Sequence, residues 1–306
     1  MTHRLYTLHA HAAVHAGTGQ GAGLIDLPIA REAATSHPHL PGSTLKGVLR
    51  DRFRDLHDQG KDEERSDTWA VFGPDTKNAD KHAGSLQVCD ARTLLFPVRS
   101  ERGTFAWVTC PLTLHRLARD GGPKLFSVSD DLTVEEGQAI ITQKSALRHK
   151  TEDLNVGGLT LAARDAPLSD SLSDRLAAML FPVSDPSYEI WRETLKARLC
   201  VVHDDSFTWM VNHRTELRAR VSIDHERGTA KDGALWTEEL LPAETVLAGV
   251  MRLELPSAVM DQNKRAEALW PKIEQALDGP LFVGGKVSVG HGLVQARLWG
   301  GPNGQS

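Results

Sequence analysis

Cysteine is scarce in this chain. Its three cysteines, Cys89, Cys110 and Cys200, are odd in number and widely spaced, and no Cys-x-x-Cys pair occurs. A disulfide framework and a cysteine-built zinc site are therefore excluded. Long apolar runs are missing too. No stretch approaches the roughly 20 residues that cross a bilayer, and the opening MTHRLYTLHAHAAVH lacks the apolar core of a secretory signal. A cytoplasmic protein with no membrane partner is expected. Positive charge is not in excess: 35 Lys and Arg face 40 Asp and Glu, for a net charge of −5. That balance argues against an indiscriminately basic nucleic-acid binder. Solenoid repeats, low-complexity tracts, a dinucleotide-binding glycine signature and a catalytic triad are also absent, which leaves a nucleotide-binding metabolic enzyme without support.

What is present is ordinary in bulk and informative in places. With 306 residues, 40% hydrophobic and 25% charged, the chain can bury a substantial core as one large domain or two small ones. Charge is unevenly spread. Residues 1–54 carry Arg4, Arg31, Lys46, Arg50, Arg52 and Arg54 against Asp26, Glu32 and Asp51, whereas acidic runs such as KDEERSD (61–67) and DDLTVEE (130–136) read as surface. A locally basic groove on a mildly acidic body suits the binding of one RNA strand, and equally suits none.

Periodicity supplies the elements. RLYTLHAHAAV alternates as a first strand and runs into a loop with Gly17, Gly19, Gly21 and Gly23. STLKGVLRDRFRDLHDQ is the clearest helix, with Leu45, Leu49, Phe53 and Leu56 at helical spacing. SLQVCDARTLLFPV and FAWVTCPLTLHRL read as strands separated by a turn at 99–103, and residues 119–165 read as irregular. SDRLAAMLF and PSYEIWRETLKARLC are predicted helical; LCVVHDDSFTWMV and TELRARVSID are predicted strands. RAEALWPKIEQALDG is a further amphipathic helix, and FVGGKVSVGHGLVQARLWG a glycine loop followed by a strand. Strand–helix–two strands followed by strand–helix–strand is a split βαβ order, so an α+β, ferredoxin-like sheet is expected.

Three places carry residues suited to anion or RNA binding. LPGSTLKGVLR (40–50) makes a helix start, where Ser43 or Thr44 can cap and Lys46, with Arg50 one turn on, adds positive charge. The same stretch also reads as an ordinary capped helix with Leu45, Val48 and Leu49 in a core. Gly284, Gly285, Gly290 and Gly292, interleaved with Lys286 and His291, can form a backbone nest for phosphate or simply a tight hairpin. Arg214, Arg218, Arg220 and Arg227 line a segment where Arg218 and Arg220 share a strand face, a pattern that suits RNA and a solvated strand alike.

Four blocks, in register, go further: HAGTGQGAGLIDLPIARE (15–32), LPGSTLKGVLR (40–50), DGALWTEELLPAETVLAGVMRLEL (232–255) and VGGKVSVGHGLVQARLW (283–299). Together they resemble the RAMP superfamily of CRISPR RNA-binding proteins and, within it, the backbone subunits of Cmr (type III-B) effector complexes. The resemblance spans nearly the whole chain. It implies a single RAMP domain over 1–306, built on an RRM-like palm with a projecting β-hairpin thumb at about 204–245 and an inserted subdomain at 119–165. It implies as partners a CRISPR guide RNA, a complementary target RNA, other Cmr subunits and further copies of the chain in a helical filament. Ser43 and Lys46 match residues that lie against the guide backbone, Thr44 keeps a hydroxyl where a second Ser is common, and Gly284–Gly292 match a loop that closes on the guide.

For chemistry, Asp26 matches a loop aspartate required for cutting target RNA, which implies an endoribonuclease cleaving at regular intervals. Read from residues alone, Asp26 in Leu24-Ile25-Asp26-Leu27-Pro28 is a carboxylate in an apolar setting, or an Asx-turn former. It could bind Mg²⁺ or Mn²⁺ or accept a 2′-OH proton. One carboxylate is too few for a pre-formed two-metal site, so any ion is expected to bind weakly and mainly through RNA oxygens. His15 is a candidate helper, although His3, His9 and His11 make a structural role equally natural. Glu238, with Glu239 beside it, could approach a neighbouring copy's Asp26 or form a surface pair. The competing expectation is a non-catalytic architectural subunit of the same kind of complex. A metal-independent, histidine-based guide-processing enzyme is disfavoured by the LPGSTLKG helix start.

Overall fold

The first strand, β1 (Thr2–Ala10), alternates as its sequence requires. Tyr6, Leu8 and Ala10 enter one buried cluster while Leu5 enters another on the opposite side. The computed structural model describes residues 2–300 apart from 20, 22–24, 60–65, 79–80, 123–125, 129–131, 149–152, 166, 225–228 and 255–261.

In chain order, β1 is followed by β2 (His39–Leu40), α1 (Gly42–His57), α2 (Asp67–Phe72), β3 (Leu86–Val88), β4 (Ala91–Arg99), β5 (Phe105–Thr109) and α3 (Pro111–Gly121). Next come β6 (Gln138–Ile141), β7 (Asp153–Val156), β8 (Leu159–Asp165), α4 (Pro167–Leu180), α5 (Glu189–Arg198), β9 (Leu199–Val202) and α6 (Asp204–His213). The chain ends with β10 (Glu216–Asp224), β11 (Thr229–Leu240), β12 (Val246–Leu253), α7 (Gln262–Leu277), β13 (Pro280–Phe282) and β14 (Leu293–Trp299).

One large mixed sheet runs in the order β13-β14-β1-β12-β4-β5-β9-β6-β8-β7, with β2 on β4 and β3 on β12. Its pairs are antiparallel except β5 with β9 and β6 with β8. Strands β10 and β11 form a separate two-stranded hairpin. Helices α1 and α7 cover one face, where Leu45, Leu49, Phe53, Trp270 and Ile273 join Tyr6, Leu8 and Leu298. Helices α3, α4 and α5 contribute Leu114, Leu117, Leu172, Leu176 and Leu195 to the second cluster, with Leu5, Leu94 and Trp107. Among the described residues no helix is long and apolar enough to cross a membrane.

Several local expectations differ from the structure. Leu56 is 47% exposed, because the buried stripe of α1 runs at a four-residue step and His57, not Leu56, packs edge-on against Phe53 at 4.7 Å. The stretch CPLTLHRL turns helical at Pro111, the first residue of α3, where a fixed φ and a missing N–H favour a helix start. Residues 119–165 are not simply irregular: they supply β6, β7 and β8 to the far end of the sheet. Strands of four to seven residues are too short for alternation to stand out. HDDSFTWMV, read as strand, is mostly α6, capped by the His203 ring and burying Phe207, Met210 and Val211 at helical spacing. The segment 204–245 therefore begins with a helix, and the hairpin starts at Glu216.

Burial differences along α1 give a direct check. Leu49→Ala, at a fully buried position, is expected to cost about 2–5 kcal/mol in denaturant unfolding. Leu56→Ala should stay within about 0.5 kcal/mol. Equal costs would contradict this packing.

Candidate functional site

The site is built on the return strand of the hairpin. After β1 the chain forms a bridge from Val14 to Leu241 and a loop whose two legs pair with each other, Gly17 opposite Ile29 and Ala30 N–H donating to the Ala16 carbonyl at 2.7 Å. The second leg then runs parallel to β11, with Leu27 N–H donating to the Thr237 carbonyl (3.1 Å) and Glu239 N–H to the Leu27 carbonyl (3.0 Å). The loop thus pairs with the end of β11 around Thr237 and Glu239 and satisfies backbone groups there.

Asp26 is exposed, and Thr237 fixes it. Its Oδ2 accepts from the Thr237 N–H (2.7 Å) and hydroxyl (2.9 Å), while its own N–H donates to Thr237 Oγ1 (3.1 Å). Donation from the Thr237 backbone, and then from its hydroxyl, holds the carboxyl below the usual aspartate range, so it is ionised at neutral pH. Oδ1 has no hydrogen-bond partner among the described residues. An Asx turn, in which Asp26 would bond its own following backbone, is not what anchors it.

His15 is buried, and its Nδ1 lies 2.9 Å from the Glu239 carbonyl oxygen. A carbonyl only accepts, so Nδ1 carries a proton in this contact. Nε2 faces Gly17, where a Cβ would come within 2.5 Å of it. His15 and Asp26 are therefore tied to positions two apart on β11. His9, by contrast, is a buried partner of Glu244 at 2.8 Å.

Glu238 and Glu239 do not form a surface pair. Both are buried, because consecutive strand residues point to opposite faces and each face here is covered. Glu239 accepts from Arg31 (2.5 Å), the Thr215 hydroxyl (2.8 Å) and Ile29 N–H (3.1 Å). Glu238 accepts from the Trp236 indole (2.8 Å) and pairs with Lys286 (2.9 Å) and Arg220 (3.3 Å). Burial alone would raise its pKa, but Trp236, Lys286 and Arg220 together pull it down to about 2. With both oxygens engaged, Glu238 anchors the hairpin to the C-terminal loop and is not free to reach a neighbouring copy.

That loop spans 283–292 between the antiparallel strands β13 and β14, so it is a hairpin with a long glycine-rich connection. Gly284 and Gly292 are in the left-handed region, and a Cβ at either would come within 2.5 Å of the His15 carbonyl or 2.1 Å of the Val283 carbonyl. Gly285 N–H donates to the His15 carbonyl (2.9 Å), docking the loop against the first leg. Gly290 is also left-handed, with open space beside it. Arg220 donates to His291 Nε2 at 2.9 Å; burial, then Arg218 and Arg220, lower the His291 pKa and keep that acceptor available.

The helix start at 40–50 stands apart from these contacts, and its cap is not the one expected. Helix α1 begins at Gly42 with Pro41 at the cap, and neither Ser43 nor Thr44 caps it. Instead Asp90 Oδ1 accepts the Gly42 N–H at 2.8 Å. Gly42 is pressed under the Val88 carbonyl, 2.1 Å from where a Cβ would sit, so the turn enters the helix one residue early. Ser43 is exposed; Thr44 and Lys46 are half-buried. Lys46 Nζ donates to the Leu86 carbonyl (2.8 Å), which leaves two of its three donors free of that bond. Arg50 donates to the Pro74 carbonyl (3.2 Å).

The hairpin has two unlike faces. Arg218, Arg220, Trp236 and Glu238 share one, where Arg218 is paired with Glu216 at 2.7 Å. The other carries Leu217, Val221 and Leu235, all exposed, together with Ala219 and Thr237. Sequence reasoning missed this apolar face and Thr237, although the alternation of LRARV is its signal. Arg214 belongs to neither face: it caps α6 and donates to the Gly157 carbonyl at 2.6 Å. Arg227 and Gly23 lie outside the described residues. No cluster of three or more His, Cys, Asp or Glu able to hold a metal occurs among the described residues.

Comparison with known proteins bears on all of this. The RAMP superfamily model matches residues 7–295. The CRISPR system Cmr endoribonuclease Cmr4 of Pyrococcus furiosus is 31% identical over 308 aligned residues, covering 96% of this chain and 94% of that protein. The crystal structure of oligomeric Cmr4 from Pyrococcus furiosus superposes with a TM-score of 0.68 at 25% identity, covering 97% of this chain and 98% of that one. A chain of the type III-B Cmr-beta complex bound to cognate target RNA shares the fold, with a TM-score of 0.72 at 18% identity and 97% of each chain covered.

The depressed Glu238 carboxyl makes a pH prediction. Because its folded pKa of about 2 lies below the ordinary 4.5, its stabilisation is fully present above pH 4.5 and is lost as pH falls toward 2. Denaturant unfolding of Glu238→Gln should thus show a deficit against the natural protein at neutral pH that shrinks steadily below pH 4.5. A deficit that does not change with pH would contradict the assigned pairing.

Proposed function

The chain belongs to the RAMP superfamily, and on that premise we propose that it is the guide-RNA-binding backbone subunit of a type III-B Cmr effector complex that cuts complementary target RNA at regular intervals. The relative named an endoribonuclease, at 31% identity over almost the full length of both proteins, supports RNA cleavage at the level of the family. The strand order β14-β1-β12-β4, with α1 and α7 as its crossovers, supports a ferredoxin-like palm, and the separate β10–β11 hairpin supports the thumb. Its partners on this reading are a guide RNA, a target RNA, other Cmr subunits and further copies of itself. The oligomeric relative and the complex bound to target RNA support those partners.

One observation carries the catalytic part: an ionised carboxylate stands on the edge of the hairpin, one oxygen anchored and the other open, beside an exposed apolar face. Leu217, Val221 and Leu235 on that face can wedge between bases, so that the target nucleotide is splayed next to Asp26. Splaying aligns the ribose 2′-OH with the adjacent phosphorus. The 2′-oxygen then forms a bond to phosphorus as the bond to the 5′-oxygen breaks, giving a cyclic phosphate. The 2′-OH proton leaves as the 5′-oxygen gains one. A carboxylate held below its ordinary pKa is a weak base at neutral pH, which favours an electrostatic role for Asp26 over direct proton abstraction. A Mg²⁺ or Mn²⁺ ion, held by Asp26 together with RNA oxygens, would supply charge stabilisation on the phosphate.

Guide binding falls to the exposed Ser43, to Thr44, Lys46 and Arg50 at the start of α1, and to Gly284, Gly285, Lys286, Gly290 and Gly292 in the C-terminal loop. Arg218 and Arg220 extend that surface along the hairpin. These groups meet phosphates and the A-form shape, leaving sequence to base pairing, as in other guided effectors. His15 orients the loop beside Asp26, and Glu238 positions Lys286 and Arg220. A purely architectural subunit is the second reading. It is favoured by the bonds from Asp26 to Thr237, which would suffice for a structural aspartate.

The test is cleavage of an end-labelled, guide-complementary RNA by the assembled complex with Mg²⁺ or Mn²⁺. Asp26→Ala should weaken a ladder of evenly spaced products by about 10²-fold or more while target binding persists. An unchanged ladder would move the chemistry to another residue or subunit, and no ladder from either protein would leave the chain as an architectural subunit alone.

A further inference from the structure

We propose that Thr237 is a positioning residue for cleavage, holding the Asp26 carboxylate so that Oδ1 is presented to the RNA. This inference rests on the reading of Asp26 as catalytic. Asp26 sits on an exposed loop just after a glycine-rich stretch, and the strongest bonds to its carboxylate come from Thr237 on the facing strand. The last torsion of an aspartate is broad and nearly two-fold, so a single donor leaves the two oxygens free to exchange or tilt. Thr237 removes that freedom. Its N–H and its hydroxyl both donate to Oδ2, at 2.7 and 2.9 Å, while the hydroxyl accepts the Asp26 N–H at 3.1 Å. The hydroxyl proton must therefore point at the carboxylate, since the other side of the oxygen receives a donor. Its carbonyl takes the next N–H along the loop, that of Leu27, at 3.1 Å.

The rigidity that Thr237 lends comes from its neighbours. It lies on β11 immediately before Glu238 and Glu239, whose buried pairs with Lys286 and Arg31 fix the strand from both faces. The loop thereby takes its alignment from a packed strand, which is how a reacting group is held within about 0.5 Å of a productive geometry. Valine at this position keeps the shape and the backbone donor and removes only the hydroxyl.

The experiment compares the natural protein, Thr237→Val, Thr237→Ser and Asp26→Ala in the guide-bound complex, after checking assembly. Two quantities are measured: the single-turnover cleavage rate at saturating complex and the dissociation constant for target RNA. Thr237→Val should slow cleavage about ten- to a hundred-fold with target affinity within about twofold, and Thr237→Ser should restore the rate to within about threefold. A positioning role is overturned if Thr237→Val cleaves at the natural rate while Asp26→Ala does not. It is equally overturned if serine is as slow as valine, or if affinity falls in step with rate. Natural-rate cleavage by Asp26→Ala would instead overturn the catalytic reading on which the inference stands.

Discussion

The carboxylate of Glu239 lies inside the protein, only 4% exposed, and takes hydrogen bonds from three separate places: Arg31, Thr215 and the Ile29 backbone. Arg31 in turn donates to the Val211 carbonyl and the Asn212 side chain, at the end of α6. One buried charge thus joins the loop after β1, the base of the hairpin and the preceding helix. Its energetic weight differs from that of the hairpin's exposed pair, Arg218 with Glu216, which contributes about 0–1 kcal/mol. Removing one partner of a buried pair strands the other and costs about 3–5 kcal/mol. Ala16 and Ile29 seat the two legs of the Asp26 loop in the main core, and this charge and the backbone bonds along β11 fix the stretch that carries Asp26.

From that constraint the rest of the site follows in sequence order along one strand. Thr237 fixes Asp26, Glu238 binds Lys286 and Arg220, and Glu239 binds Arg31. Alternation along the strand sends Thr237 and Glu239 one way and Glu238 the other, so the loop and the C-terminal glycine segment are gripped from opposite faces. The proposed division of labour maps onto this geometry. The face with Asp26 and exposed Leu217, Val221 and Leu235 is suited to a splayed target, and the face with Lys286 and Arg220 to phosphates. Lys286 and Arg220 on that second face are held in place by Glu238 before any RNA arrives.

Much of this was legible in the sequence, and the parts that were not have identifiable causes. The stripe Leu45, Leu49, Phe53 gave α1, and the alternation of RLYTLHAHAAV gave β1, because both patterns run long enough to stand above chance. Family resemblance pointed to Asp26, Ser43 and Lys46, and membership of the RAMP superfamily is shown by the match over residues 7–295. The burial of Glu238 and Glu239 was hidden, because two adjacent acids before a Pro turn look like surface. Arg31 and Lys286, distant in sequence, and Arg220 across the hairpin supply the opposite charge that makes their burial possible. Thr237 was hidden for a similar reason: a lone threonine in a strand carries no signal until the loop folds back across some 200 residues to meet it. The cap at α1 failed locally, since Asp90 fills from outside the role that Ser43 or Thr44 would have filled from within.

The most direct test of the central constraint is residue-level amide hydrogen exchange in the natural protein and Glu239→Gln. Glutamine keeps the size and removes the charge that Arg31 requires. If Glu239 holds the loop, the amides of Leu27 and Ile29 should exchange about tenfold faster or more in the variant, while those of the buried α1 residues Leu49 and Phe53 stay protected. Unchanged protection at Leu27 and Ile29 would contradict the account and leave the backbone pairing along β11 as sufficient to hold the loop alone.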